Sequence, residues 1–218
     1  MNQLGELFDP HAELAISENL RPHWSQAGAV VFITFRTADS IPREVLNRWE
    51  REKRDWIRRH AGPTDRHWSQ ILPTLEQTLQ TQFTEEFKRC RDAFLDSCHG
   101  ECVLRRTEIA KLVADTLLHF DGQRYRLGDF VVMPNHVHLL VAFATHESLI
   151  EQCDSWLHYS ARQINLLLGR RGQFWQHEPF DHLVRSPEQY GYLRGYIRDN
   201  GSNAGLQPHE YLYRAYPG

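Results

Sequence analysis

The sequence has no long apolar segment and little cysteine, and each absence narrows the class of protein. No apolar run in the 218 residues approaches the ~20 that a helix needs to span a bilayer. The first eight residues lack a basic region followed by an apolar core, so no signal peptide is expected. Cys90, Cys98, Cys102 and Cys153 have no C-x-x-C spacing. Free thiols in a cytoplasmic protein that does not associate with membranes are therefore expected.

The chain also lacks a large excess of charge of either sign. Its formal net charge is −3, with 25 Lys+Arg against 28 Asp+Glu. This balance argues against a protein that coats duplex DNA by bulk charge, but it leaves room for a local basic groove. The length and the 41% hydrophobic content fit one globular domain over residues 1–218.

The hydrophobic pattern predicts an α+β domain with a mostly helical insertion at residues 40–100. Within the insertion, Ser40 is the expected cap of a helix to about residue 60, and a second helix is expected over 64–98. The rest predicts strands at 29–35, 124–133, 136–143 and 181–185, and helices at 108–120, 146–168 and 188–199. This β-α-β-β-α-β order with a terminal helix is that of the ferredoxin-like, split β-α-β fold, an antiparallel sheet with helices on one face.

A His-x-His pair begins the strand that follows the predicted turn at Pro134-Asn135. Residues i and i+2 of a strand point to the same face, so His136 and His138 present two imidazoles side by side, about 6–7 Å apart at their Cα atoms. Two neutral imidazoles at that spacing can ligate one metal ion. The alternative is a pair of half-buried strand histidines with ordinary hydrogen bonds.

The last predicted helix carries a tyrosine and an asparagine on one face. Tyr196 and Asn200 are four residues apart, which places them one turn from each other. An amide oxygen can bind Mg²⁺ or Mn²⁺, and a phenol beside a metal-bound phosphate can act as a nucleophile. The alternative is that Tyr196 packs in the core and Asn200 caps the end of the helix before Gly201.

Three separated motifs resemble the HUH single-tyrosine transposases, in particular the branch of REP-associated tyrosine transposases. They are Arg21-Pro-His-Trp24 with Phe32-Ile-Thr-Phe-Arg36, then Val132-Met-Pro-Asn-His-Val-His-Leu-Leu140, and finally Phe174–Ser186 with Tyr196-Ile-Arg-Asp-Asn200 and Ala204-Gly-Leu206. The branch has Asn-Pro where this chain has Asn200-Gly201. The asparagine is retained, and the departure concerns the rigidity of the chain that leaves the helix.

The resemblance implies a DNA endonuclease and transposase that cuts and rejoins single-stranded DNA at hairpin-forming repeats. Tyr196 would be the nucleophile of a 5′-phosphotyrosine intermediate. His136, His138 and Asn200 would hold one divalent cation, Mg²⁺ or Mn²⁺. Tyr190 and Tyr192 compete with Tyr196 for the nucleophile role. Only Tyr192 shares its helix face, and the Tyr-Ile-x-x-Asn motif favours Tyr196.

Two other functions stay open at this point, together with the oligomeric state. One is a module of the same fold that binds hairpin DNA without cutting it. The other is a metal-dependent phosphodiesterase that uses water as its nucleophile. The chain is expected to act as a monomer or a homodimer.

Further side chains are predicted to contact DNA or to support the site. The expected contacts to the DNA backbone are Arg170, Arg171, Arg185, Arg194 and Arg198. Trp175 is an expected surface for base stacking, together with Trp156, His158 and Tyr159. Asp181 and His182 are expected to orient the metal ligands.

Overall fold

The computed structural model describes residues 4–12, 15–18, 22–177 and 179–217 of the chain. The chain forms two compact units, one from residues 1–38 with 101–218 and one from residues 39–100. The strands, all in the first unit, are β1 (Ala15–Glu18), β2 (Pro22–Ser25), β3 (Val30–Arg36), β4 (Tyr125–Val132), β5 (His136–Phe143), β6 (Phe180–Leu183) and β7 (Leu212–Arg214). The α-helices are α1 (Arg43–Ala61), α2 (Trp68–Ile71), α3 (Gln77–Asp96), α4 (Thr107–Leu118), α5 (His146–Leu167) and α6 (Pro187–Asn203).

The main sheet of the first unit has the strand order of a ferredoxin-like fold. Its spatial order is β6-β3-β5-β4-β7, and every neighbouring pair runs antiparallel. Strands β1 and β2 form a separate antiparallel pair. The predicted β-α-β-β-α-β order is therefore confirmed, with β7 added at one edge of the sheet after the last helix.

The two faces of the main sheet are covered by different helices. One face packs its alternate residues, such as Ile33 and Leu139, against α4 and α5. The opposite face packs Phe32 and Leu140 against Leu193 of α6 and its neighbours. Strands buried on both faces are expected to be apolar nearly throughout, which is the pattern of β3 and β5. The only described polar side chains that β5 contributes are those of the histidine pair.

The second unit is helical, but two predictions about its helices are wrong. The expected helix over 64–98 is interrupted by a 3-10 turn at Leu72–Thr74. Pro73 lacks a backbone N–H, so a continuous α-helix would lose a hydrogen bond there. Helix α1 begins after Pro42 without a side-chain cap, and Ser40 is fully buried instead of capping it. The core of this unit is built around Trp56, Ile57, Ile71 and Phe83.

Helix α6 begins as predicted and ends later than predicted. The Ser186 hydroxyl accepts a hydrogen bond from the backbone N–H of Gln189 at 3.2 Å, and Pro187 occupies the first turn. The helix continues through Gly201 to Asn203. A Cβ atom at position 201 would clash with the ring of Tyr211. Glycine at this position therefore allows the segment before β7 to lie directly against α6.

None of the described helices combines the length and the apolar character that crossing a bilayer requires.

Replacing Gly201 by alanine is expected to destabilise the first unit, because the new methyl group must displace the Tyr211 ring. Overpacking of this kind costs about 1–3 kcal/mol. The matched control is Gly191→Ala in the same helix, where a Cβ meets nothing within 4 Å. That change should stabilise by up to ~1 kcal/mol through helix propensity. Urea unfolding of both variants measures the difference, and equal effects of the two changes would contradict the packing argument.

Candidate active site

Strand β5 buries both histidines of the His-x-His motif side by side. His136 is 0% exposed and His138 is 2% exposed. Their ring centroids lie 4.6 Å apart. Both project toward the sheet face that α6 covers, because His138 contacts Phe32 and Tyr196 on that face.

Each imidazole is oriented by a hydrogen bond at its Nδ1 atom. Asn135 Oδ1 lies 2.8 Å from His136 Nδ1, and Thr34 Oγ1 lies 2.8 Å from His138 Nδ1. An amide oxygen only accepts, so His136 donates from Nδ1 and carries its lone pair on Nε2. A metal-binding histidine is commonly held in this way, with its other nitrogen donating to a fixed acceptor.

These two orienting residues were missed in the sequence, although a signal for one of them was present. Thr34 lies directly opposite His138 in the β3–β5 pairing, so a polar residue within the apolar part of β3 marked the position. The predicted supporting residues were Asp181 and His182. The side chain of Asp181 lies outside the described residues. The His182 ring packs on Phe32 at 5.1 Å, and Phe32 in turn stacks on His138 at 5.2 Å.

Helix α6 brings the predicted nucleophile to the histidine pair within one chain. The Tyr196 hydroxyl lies 3.4 Å from His138 Nε2, and the two rings are 5.3 Å apart. Asn200, one turn further along α6, is 1% exposed. Its Oδ1 atom is buried without a hydrogen-bond partner among the described residues. Asn200 does not cap the helix, because α6 continues to Asn203.

The donor atoms present fit a divalent cation. A buried amide oxygen without a hydrogen bond is costly unless a cation or a water molecule satisfies it. Within the described ranges, no three His, Cys, Asp or Glu side chains come together as a metal-binding group. Asn200 carries the buried amide oxygen that the sequence analysis assigned to the histidine pair as a third ligand, and that assignment stays a prediction. The amide oxygen suits Mg²⁺ or Mn²⁺, whereas the imidazole nitrogens suit divalent transition-metal ions.

A buried carboxylate ties α6 to the sheet next to the site. Asp129, at an irregularity in β4, is 1% exposed and lies 2.6 Å from Arg194 Nε. The Tyr213 hydroxyl donates to the same carboxylate at 2.9 Å. The hydrogen bond to Asp129 raises the pKa of Arg194. Burial, followed by the hydrogen bond to Asp129, raises the pKa of Tyr213 to about 12.

Two predicted DNA contacts have partners within the chain; Trp175 is buried, whereas a contact between the half-buried Arg194 and DNA stays a prediction. Arg194, whose charge is compensated by Asp129, anchors α6 two residues before Tyr196. Trp175 is 5% exposed and donates its indole N–H to Ser160 at 2.8 Å in the core beneath α5. Its face cannot stack on a base, and the same burial applies to Trp156.

The remaining predicted arginines lie at the surface. Arg170 pairs with Glu101 at 2.6 Å, and Arg198 pairs with Asp199 at 2.8 Å. Arg171 and Arg185 are exposed. Surface ion pairs of this kind are weak, so pairing alone leaves Arg170 and Arg198 available to a phosphate. Their contacts with DNA stay predictions.

Comparison with known proteins yields one solved structure and no sequence family. No family model and no curated protein matches the chain. A structure of a REP-associated tyrosine transposase bound to a REP hairpin is similar over 88% of this chain and 76% of that chain. The sequence identity is 14% and the TM-score is 0.40.

The raised pKa of Tyr213 predicts a loss of stability at alkaline pH. The folded chain holds the phenol proton above the ordinary value of 10.0, whereas the unfolded chain releases it there. This contribution is therefore complete below about pH 10 and is lost as the pH rises toward about 12. Tyr213→Phe should be less stable than the wild type at pH 8, and the gap should narrow as the pH rises from 10 to 12. Urea unfolding across that range measures it, and a constant gap would contradict the assignment.

Proposed function

We propose that this chain cleaves single-stranded DNA and transfers the cut strand through a 5′-phosphotyrosine at Tyr196, at hairpin-forming repeats. The observation that carries the proposal is the approach of the Tyr196 hydroxyl to His138 Nε2, at 3.4 Å, beside the buried histidine pair of the same chain. If the two histidines were only packed core residues, a tyrosine hydroxyl beside His138 would not be required. A nucleophile for a phosphate held at that pair does need to lie there.

The site would hold one divalent cation, Mg²⁺ or Mn²⁺, on His136, His138 and Asn200. Bound there, the cation would supply Lewis-acid polarisation of the scissile phosphate. These ligands are uncharged, so they would leave the positive charge of the cation available to an anionic phosphate. The chain's own contribution is to fix the two imidazoles through Asn135 and Thr34 and to hold the phenol beside them.

The proposed reaction exchanges one phosphodiester for another. The Tyr196 oxygen bonds to phosphorus as the phenol proton leaves, and the bond from phosphorus to the 3′ oxygen breaks. The released 3′ oxygen takes up a proton and becomes a hydroxyl. A 3′-hydroxyl can later attack the phosphotyrosine and restore the phenol. The number of phosphodiester bonds is conserved, so joining the strands needs no nucleotide cofactor.

The two alternatives have less support in the geometry. Two features favour a module that only binds DNA: the near-neutral net charge of −3 and the glycine at position 201. That glycine leaves α6 continuous and Asn200 buried, so it does not by itself remove a ligand. A phosphodiesterase that uses water would have no need of a tyrosine hydroxyl at His138. The arrangement within one chain also supports a tyrosine that acts in cis.

The nucleophile is tested with hairpin DNA taken from the sequence that flanks the gene, incubated with Mg²⁺ or Mn²⁺. A 3′-end label should remain with the protein after denaturation, and a 5′-end label should be released on a strand with a free 3′-hydroxyl. Tyr196→Phe should abolish the adduct. Tyr192→Phe is the matched control and should retain it. Adducts that persist in Tyr196→Phe would assign the wrong nucleophile, and cleavage without an adduct would support the water-dependent reaction.

The orienting role of Thr34 is tested by Thr34→Val, which removes the hydroxyl and keeps the shape. Losing a supporting contact of a metal-binding histidine typically weakens metal affinity about 10–100-fold. Titration of Mn²⁺ by calorimetry measures this without requiring activity. Thr116→Val is the control, because the Thr116 hydroxyl bonds to Leu112 within α4, away from the site. Unchanged Mn²⁺ affinity in Thr34→Val would show that His138 is oriented by other means.

A further inference from the structure

A line of neighbouring side chains crosses the candidate site from β3 to the outer part of α6. Arg36 lies directly opposite His136 in the β3–β5 pairing. The His136 and His138 rings are 4.6 Å apart, and the His138 and Tyr196 rings are 5.3 Å apart. The line ends at Tyr192, whose ring centroid is 6.4 Å from that of Tyr196. One end of the line is cationic and the other end is aromatic.

The position of Arg36 follows from strand geometry. Phe32 and Thr34 both contact His138, so the even-numbered residues of this strand face α6. Arg36 continues that series and is half-buried at the end of β3. A guanidinium is always charged, and its fork of N–H donors matches two oxygens of a phosphate. Arg36 thus brings a phosphate-binding side chain to the strand position opposite the first histidine of the pair.

The position of Tyr192 suits a nucleobase. It is 67% exposed and lies one turn before Tyr196 in α6. The two phenol rings are nearly parallel, with an angle of 17° between their planes. The outer face of Tyr192 is therefore an open aromatic surface next to the nucleophile. Proteins that bind single-stranded nucleic acid use such faces for stacking, because every base has a π-face.

We propose that this line is a track for a single DNA strand across the site. Arg36 binds a phosphate on the β3 side of the reacting phosphate, and Tyr192 stacks a base on the α6 side of it. The track rests on the proposed function, since it supplies the strand that Tyr196 attacks. It adds two binding residues that the sequence motifs did not assign to DNA.

The track is tested by binding in EDTA, so that neither metal nor cleavage contributes. The first probe is fluorescein-labelled oligothymidylate of 12 nucleotides. The second is a 12-unit strand in which every base is removed, which keeps the phosphates alone. Arg36→Gln should weaken both probes and reduce the slope of log affinity against log salt by about 0.7, the value for one phosphate of single-stranded DNA. Arg36→Lys, which keeps the charge, should retain the slope.

The aromatic end has a different signature. Tyr192→Ala should weaken binding of oligothymidylate about 5–150-fold, the usual effect of losing one stacked base, and leave the abasic strand unchanged. Tyr192→Phe keeps the ring and should bind both probes as the wild type does.

Two control variants lie away from the track. Arg126→Gln changes an exposed arginine that pairs with Ala142 at the opposite end of the sheet. His119→Ala removes an exposed aromatic ring directly after α4, which packs on the opposite face of the sheet. Neither should change binding of either probe. Circular dichroism of every variant confirms that a loss of binding is not a loss of fold.

Three results would overturn the track. They are a wild-type salt slope in Arg36→Gln, an equal loss for both probes in Tyr192→Ala, and no binding of oligothymidylate by the wild type. Adduct formation by Tyr196 is a separate measurement. An adduct without these binding effects refutes the track alone, whereas the binding effects without an adduct refute strand transfer alone.

Discussion

The register between β3 and β5 is the constraint on which the candidate site depends. It sets Thr34 opposite His138 and Arg36 opposite His136. Because side chains alternate along a strand, a slip of one residue would turn both histidines toward α4 and α5. That face is packed with aliphatic and aromatic side chains, so the slipped register would bury two imidazoles among apolar groups. The difference in packing between the two faces of the sheet therefore fixes the direction in which His136 and His138 point.

The second requirement is that α6 packs on the sheet in one fixed position relative to the strands. Leu193 and Ile197 provide its apolar contact, but apolar packing alone is not directional. The buried Asp129 carboxylate adds direction, because it binds Arg194 and Tyr213 at the same time. A position of α6 that separated Arg194 from Asp129 would leave a buried carboxylate without its cation. That loss costs more free energy than the ion pair contributes, so other positions of the helix are unfavourable. Tyr196 is two residues from Arg194, so the contacts of Asp129 also hold the phenol at its distance from His138.

Patterns within a single element were predictable from the sequence, and patterns between elements were much less so. The order of the elements, the Ser186 cap and the shared face of His136 and His138 depend on local periodicity, and the structure confirms them. Pro73 indicated the break in the helix, but the helical spacing of the leucine and phenylalanine residues around it led to the prediction of one continuous helix. Arg194 and Trp175 were interpreted as DNA contacts because their residue types suit DNA. Their partners within the chain, Asp129 for Arg194 and Ser160 for Trp175, are distant in the sequence.

What the sequence by itself determined is the composition of the site: an imidazole pair on a strand, and a phenol and an amide one turn apart on a helix. These follow from repeats of two and about four residues, which any strand or helix imposes. Only the tertiary structure decided that the two sets meet in one chain, with Tyr196 beside His138 and the Asn200 amide buried. It also decided which neighbours serve them, Thr34 and Asn135 at the imidazoles and Asp129 behind the helix. Those choices depend on strand register and helix docking, which long-range packing sets and local sequence does not encode.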